Sequence, residues 1–326
     1  MPLPTFADVL EANTRIRPYA LETPFLRADA LDDATGGKIF VKAECLQPRG
    51  AFKIRGAANA MMKIPLADRI KGVVAFSSGN HAQGIAYMAK VLGMEATIVV
   101  PSDAPKGKLE SVTRDGAKIV TYDRNLESRE AIGAQIAAEK GTTLIQPFDH
   151  VDVIAGQGTC GLEMVRQAEA MGASLDDVVV CASGGGLAAG IALALEGASP
   201  ASRMFLAEPQ GHDDFGLSLA GGVAVTNPTG TRSIQDALLT QTPGELTFPI
   251  LQRVKAFGIV VSDDEALFAM AFAFKYLRIV LEPGGAAALA GVLTGKFPTT
   301  GRSIGVTASG GNVDPDIFMQ ALAIKV

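Results

Sequence analysis

A lysine among small and apolar neighbours is the first residue of this chain with a chemical use. Lys53 lies in Gly50-Ala51-Phe52-Lys53-Ile54-Arg55-Gly56-Ala57, just before a helical pattern. Desolvation disfavours an ammonium ion, so a lysine in such a setting can be a neutral nucleophile able to form a Schiff base. The competing use is a surface lysine whose stem covers apolar surface. Three turns rich in small residues could accompany the nucleophile. Ser77-Ser78-Gly79-Asn80-His81 and Ser183-Gly184-Gly185-Gly186-Leu187 each precede a helical pattern, where backbone amides can approach an anion. Ser309-Gly310-Gly311-Asn312 offers a hydroxyl and an amide after another apolar run.

The second turn also admits a dinucleotide reading, with Glu208 near the place of a ribose-binding acid. Its glycines, Gly184, Gly186 and Gly190, follow GxGxxxG instead of GxGxxG. The fingerprint is therefore incomplete, and the lysine segment has no part in it.

The elements that must position these residues are legible as alternation. Short β-branched runs at Lys38–Lys42, Gly72–Phe76, Ala96–Val100, Lys118–Tyr122, Thr143–Gln146, Val178–Ala182, Met204–Ala207, Gly258–Ser262 and Ser303–Thr307 read as strands. Helical patterns follow most of them, among them His81–Leu92, Glu127–Lys140, Leu187–Leu195 and Asp264–Leu277. The pattern predicts an α/β fold with open, mostly parallel sheets, in which ligands bind beyond the carboxyl ends of strands. The three small-residue turns all stand at such ends.

Composition narrows the function classes. The 326 residues carry a net charge of −5, and 48% are hydrophobic against 19% charged, the balance of a globular chain able to bury a sizeable core. No run of five or six basic residues is present, which argues against nucleic acid as a partner. Val178–Leu195 lacks charge but is broken by Ser183-Gly184-Gly185-Gly186, so it reads as buried core and no membrane is expected. Cys45, Cys160 and Cys181 have no paired spacing, and the N-terminus lacks the pattern of a signal peptide; both fit a reducing cytoplasm.

Taken together in this order, the lysine segment and the three turns resemble the fold type II pyridoxal-phosphate family, in particular its serine/threonine dehydratase and serine racemase branch. The likeness runs from Thr23-Pro24 to Gly310-Gly311-Asn312, with Ile154-Ala155-Gly156-Gln157-Gly158-Thr159 and Glu282-Pro283-Gly284-Gly285-Ala286 as further matches. The resemblance implies a large lobe from residues 1–65 and 151–326, a small lobe from 66–150, and a homodimer. It further implies that Lys53 carries pyridoxal 5'-phosphate as a Schiff base and later acts as general base, while Phe52 packs on the ring. Asn80 would bond the phenolic oxygen, Ser183, Gly184, Gly185, Gly186 and Leu187 would cradle the phosphate, and Ser309 would face the pyridine nitrogen. The α-carboxylate of an amino-acid substrate would lie against Ser78, Gly79, Asn80 and His81. Ser78 matches the acid/base of racemising relatives, and His81 is read as structural in preference to catalytic. Glu208, the carbonyl of His212 and Asp214 match a metal loop whose oxygen ligands suit Mg2+ or Ca2+.

The expected reaction is elimination from a small β-hydroxy amino acid to a 2-oxo acid and ammonia. A racemase on the same scaffold is the alternative, and a nicotinamide-dependent oxidoreductase a remote one. Three departures bear on the substrate: Arg49 stands where Thr is common, Ala51 where Ser is common, and Ser233-Ile234-Gln235-Asp236-Ala237 replaces a Thr-Ile-Ala-Asp-Gly segment. A guanidinium pairs readily with a carboxylate. Arg49 thus suggests 3-hydroxyaspartate as a rival to threonine and serine, with Arg129 and Arg232 as other candidates for the same role.

Overall fold

The computed structural model describes residues 2–104 and 106–326, and the side chains of all of these except 106–108. Among the described residues ten strands form two sheets. Strands β1 (Phe25–Leu26), β2 (Lys38–Lys42), β7 (Asp177–Cys181), β8 (Arg203–Pro209), β9 (Phe257–Val261) and β10 (Ser303–Thr307) make a six-stranded sheet in the order β1-β2-β10-β7-β8-β9. Only the β1 pairing is antiparallel. Strands β3 (Val73–Phe76), β4 (Ala96–Pro101), β5 (Lys118–Tyr122) and β6 (Thr143–Leu144) make a fully parallel sheet in the order β5-β4-β3-β6.

The burial of each strand explains why it was visible as an apolar run. All five residues of β7 are buried, as expected where helices cover both faces of a parallel sheet. The helices Val151–Ala170 and Gly186–Ala198 pack on one another, and Pro283–Leu293 packs against β7, β8 and β9. In the smaller sheet, alternate residues serve different clusters. Val73 and Ala75 join Ala96, Ile98 and Val100 beside the helices Lys53–Met62 and Asn80–Leu92. Val74 and Phe76 face the other way, with Val99 and Tyr122, against Ile132 and Ile136 of the helix Arg129–Lys140. The uncharged stretch from Val178 to Leu195 is β7 and its following helix, both interior, and no helix among the described residues is long and apolar enough to cross a membrane.

Several boundaries differ from the sequence expectation for physical reasons. Strand β6 pairs with β3 only through Thr143 and Leu144, because the chain leaves the sheet before Pro147, which lacks the N–H a ladder needs. The helix expected over Asp264–Leu277 is α-helical over Asp263–Phe272, continues as a π turn over Ala273–Leu277, and stops at Arg278 in the left-handed region, φ 59°. Strand β1, two residues long, carries no periodicity that a sequence reading could use.

A buried ion network anchors the helix that begins at Lys53. Arg55 is wholly buried and donates to Glu44 (2.7 and 2.8 Å) and Glu163 (both 2.7 Å), while Lys42 lies 2.6 Å from Glu163. The burial of Arg55 is thus matched by two carboxylates, and the N-terminal turn carrying Lys53 is tied to β2 and to the helix Val151–Ala170. Removing one member of such a network leaves a buried charge unpaired, so its geometry is strongly enforced.

Candidate active site

The small-residue turns and the lysine loop converge on one cleft between the two sheets, with a volume of about 1010 Å³. Its walls carry Lys53 and Phe52 from the lysine loop, Ser78 to His81 from the turn after β3, Ser183 to Leu187 from the turn after β7, and Ser309 beyond β10. These segments are remote in sequence. Parallel strands bring their carboxyl ends to one edge, which is why the turns meet.

Backbone hydrogen bonds set the lysine loop. Phe52 N–H donates to the Ser309 carbonyl (3.1 Å), and Gly311 N–H to the Gly50 carbonyl (2.8 Å); Ala51 also bridges Gly310. Gly50 has a φ of 70°, and a Cβ there would stand 2.5 Å from Oδ1 of Asn312, so close approach requires glycine. Lys53 Nζ donates to the Pro147 carbonyl (2.7 Å) and lies 5.1 Å from the Phe52 ring centroid. Burial pushes its pKa down to about 8, so the amine loses its proton far more readily than an ordinary lysine.

The two helix starts present unused donors to the same space. Among the described residues no protein acceptor takes the backbone N–H of Ser183, Gly184, Gly185, Gly186 or Leu187, at the start of Gly186–Ala198. A phosphate fits this donor set, and Lys53 fits the aldehyde of pyridoxal phosphate. Gly185 has a φ of 87°, and a Cβ on it would approach Cζ of Phe215 to 2.5 Å. Gly185→Ala is therefore expected to cost about 2–5 kcal/mol, from left-handed strain and overpacking together. Chemical denaturation and a cofactor titration of the variant check this; unchanged stability and affinity would contradict the account of the cradle.

At the other helix start, the N–H groups of Ser78, Asn80 and His81 meet no protein acceptor among the described residues, whereas Gly79 N–H donates to Oγ of Ser77 (3.1 Å). Asn80 is held at both ends: its Nδ2 donates to Oε1 of Glu282 (2.6 Å), and its Oδ1 accepts from Nδ2 of Asn312 (2.7 Å). Glu282 also lines the cleft; the sequence reading quoted its motif without giving it a role. His81 is buried with Nε2 3.0 Å from the Ile145 carbonyl, and burial pushes its pKa down to about 3. It is a neutral donor that ties its helix to the segment leading to Pro147, which supports the structural reading.

Arg49 already has a carboxylate partner within the protein. It lines the cleft, but its Nε and Nη2 each lie 2.6 Å from the Asp115 carboxylate, and its guanidinium stacks 4.6 Å from the Tyr87 ring centroid. Lys90 lies 3.2 Å from the same carboxylate. Although burial opposes it, the hydrogen bonds from Arg49 and Lys90 hold the Asp115 carboxyl below its usual range. The bidentate fork expected to meet a substrate carboxylate is engaged by Asp115 in this structure. Arg49 itself has a φ of 64°, in the left-handed region. Arg129 lines the cleft beside the end of β3, 5.4 Å from the Phe76 ring centroid, with a side chain 40% exposed. Arg232 is absent from the cleft wall.

Glu208, His212 and Asp214 lie outside that wall, and among the described residues no three His, Cys, Asp or Glu side chains form a ready metal cluster, so only the two acids stand as side-chain ligands here. Glu208 is fully buried and accepts the N–H groups of Phe215 (2.9 Å) and Gly216 (2.8 Å). Asp214 accepts from Asn227 through Oδ1 (2.5 Å), while its buried Oδ2 has no partner. Burial pushes the Asp214 carboxyl up to about 7, and burial with the repulsion of Asp214 pushes Glu208 well above the usual range. Two buried acids, one with an orphaned oxygen, fit a hard cation whose shell is completed by a carbonyl and water. The His212 ring is occupied otherwise, with Nε2 3.1 Å from Oγ1 of Thr231.

Several known proteins are similar to this chain over nearly its whole length. L-threo-3-hydroxyaspartate ammonia-lyase of Saccharomyces cerevisiae is 43% identical over 314 residues, 96% of this chain and 95% of that protein. Serine racemase of Arabidopsis thaliana is 40% identical, covering 94% of each chain. The solved structure of maize serine racemase matches with a TM-score of 0.91 at 37% identity, over 99% of this chain and 98% of that one. A family model described as pyridoxal-phosphate dependent enzyme matches residues 16–310, a span that contains Lys53, both helix-start turns and Ser309, and the chain belongs to that family.

Proposed function

We propose that this chain is an ammonia-lyase that converts 3-hydroxyaspartate to oxaloacetate and ammonia. The observation that carries the reading is the cleft in which the Lys53 amine faces two helix starts with unused N–H donors. When bound, pyridoxal phosphate withdraws electrons from the substrate Cα and makes its proton acidic. The N–H groups of Ser78, Asn80 and His81 hold the α-carboxylate, and Asn80 is pre-positioned by Glu282 and Asn312. The Lys53 amine takes the Cα proton, and the β-hydroxyl leaves as water. Water re-enters when the product imine is hydrolysed, so the net products are one 2-oxo acid and one ammonia. The name of the yeast relative supports the substrate. Arg129 supplies the charge for its second carboxylate: its Nε is held by the exposed Glu130 (2.8 Å), a single bond that leaves guanidinium donors free, whereas the fork of Arg49 is bound in bidentate fashion by Asp115.

Steady-state release of 2-oxo acid from L-threo-3-hydroxyaspartate, L-threonine and L-serine tests this reading. It expects the highest kcat/KM for hydroxyaspartate; a preference for threonine or serine would contradict it. Racemisation is a second reading, favoured by Ser78 in the cleft wall and by the serine racemase likeness.

In the same reading Glu208, Asp214 and the His212 carbonyl hold Mg2+ or Ca2+. Prolonged chelation is then expected to lower the melting temperature by several degrees, with either cation restoring it, since a ligand at a hundredfold its Kd stabilises by about 2.7 kcal/mol. An unmoved melting temperature would remove the cation from the account. The lobes 1–65 with 151–326 and 66–150, a homodimer and a cytoplasmic site of action complete the proposal. The strands of the smaller sheet, which lie between Val73 and Leu144, support that division.

A further inference from the structure

Cys181 ends β7 and Ser309 lies two residues beyond β10, its neighbour in the sheet. Parallel pairing brings two residues 128 positions apart into contact: the Cys181 Sγ–H donates to Oγ of Ser309 at 3.1 Å. Both side chains are buried, at 5% and 4% exposed, and both line the cleft that holds Lys53. Burial pushes the Cys181 thiol up to about 11, so it is protonated and neutral at physiological pH. Lys53 and Glu282 are the charged groups that act on it, with opposite signs. The other two cysteines, Cys45 and Cys160, are buried away from this wall.

We propose that Cys181 is a positioning residue that fixes the direction of the Ser309 hydroxyl, so that this hydroxyl donates its proton into the cleft, to the ring nitrogen of the cofactor. A serine hydroxyl has one proton to give and lone pairs to receive. With the thiol proton on one lone pair, the hydroxyl's own proton points away from the sulfur and toward the ligand. A donor facing an aromatic nitrogen occupies its lone pair and opposes its protonation, whereas a free hydroxyl can turn and accept from a protonated ring. The thiol thus helps keep the ring a moderate electron sink, as suits elimination over a long-lived carbanion. No covalent or redox change at the sulfur is involved. The inference rests on the reading that places Ser309 at the ring nitrogen.

The test uses holoenzyme reconstituted with cofactor 15N-labelled at the ring nitrogen and follows its resonance through a pH titration, beside cofactor affinity and melting temperature. For Cys181→Ala the protonation midpoint of the ring nitrogen is expected to rise by about half a unit to one unit, the scale of one modest hydrogen bond. Cofactor affinity should fall by about threefold to tenfold. Cys181→Ser, which retains a donor of nearly the same size, should restore both. Ser309→Ala should move the midpoint at least as far as Cys181→Ala. A midpoint unmoved in Cys181→Ala but moved in Ser309→Ala would overturn the inference and leave the placement of Ser309 intact. A midpoint unmoved in both would overturn the placement and the inference with it. A midpoint moved equally by Cys181→Ala and Cys181→Ser would mean that side-chain packing, and not the donated proton, is responsible, and would also overturn the inference.

Discussion

Replacing Lys53 by alanine is expected to abolish 2-oxo acid release and to remove the adduct that borohydride would otherwise reduce between protein and cofactor. Two losses combine. The amine is the covalent anchor, and it is also the base for the Cα proton, a role commonly worth about 10²–10⁴-fold alone. Nothing near it replaces it: His81 is neutral with its Nε2 proton given to Ile145, and the Cys181 thiol is protonated. The fold should persist, because Arg55 and its two carboxylates hold the helix start independently of Lys53. Activity and borohydride labelling of Lys53→Ala, with circular dichroism as control, check the expectation. Retained labelling would contradict the assignment.

Arg129→Leu is expected to lower kcat/KM for hydroxyaspartate by roughly 30-fold while changing that for serine and threonine little. A hydrogen-bonded charge pair that loses one member costs 2–5 kcal/mol when buried, and the exposure of Arg129 places this site near the lower end, at about 2 kcal/mol. Arg49→Ala is the comparison. Its guanidinium is held by Asp115, so the hydroxyaspartate to threonine ratio should stay within about threefold, while stability falls because Asp115 keeps only Lys90. The opposite pattern, with Arg49 setting the ratio and Arg129 silent, would mean that the Asp115 pair opens for substrate.

The two guanidiniums show what the sequence could and could not convey. Arg49 stands four residues from Lys53, yet chain proximity says little across a left-handed residue. The carboxylate that claims it is 66 positions away. Strands β3, β4 and β7, in contrast, were legible because burial on both faces writes a mostly apolar, β-branched run. The turns after β3 and β7 and beyond β10 were legible as sites because clustered small residues at strand ends let backbone N–H groups approach a ligand, and a Cβ at Gly184, Gly185, Gly186, Gly310 or Gly311 would meet another atom within 2.9 Å. The contact between Cys181 and Ser309 was not, since nothing local announces which strands will be neighbours. Glu282 stood in a quoted motif, but its purpose depends on Asn80, 202 positions away.

The most direct test of the account counts products from one progress curve. Holoenzyme given L-threo-3-hydroxyaspartate should release oxaloacetate and ammonia in equal amounts, each matching the substrate consumed, with epimerised substrate a minor fraction throughout. If substrate epimerises at Cα faster than ammonia appears, or if ammonia and oxaloacetate are not equal, the central claim of elimination at a Lys53-held cofactor is contradicted, and the racemase reading takes its place.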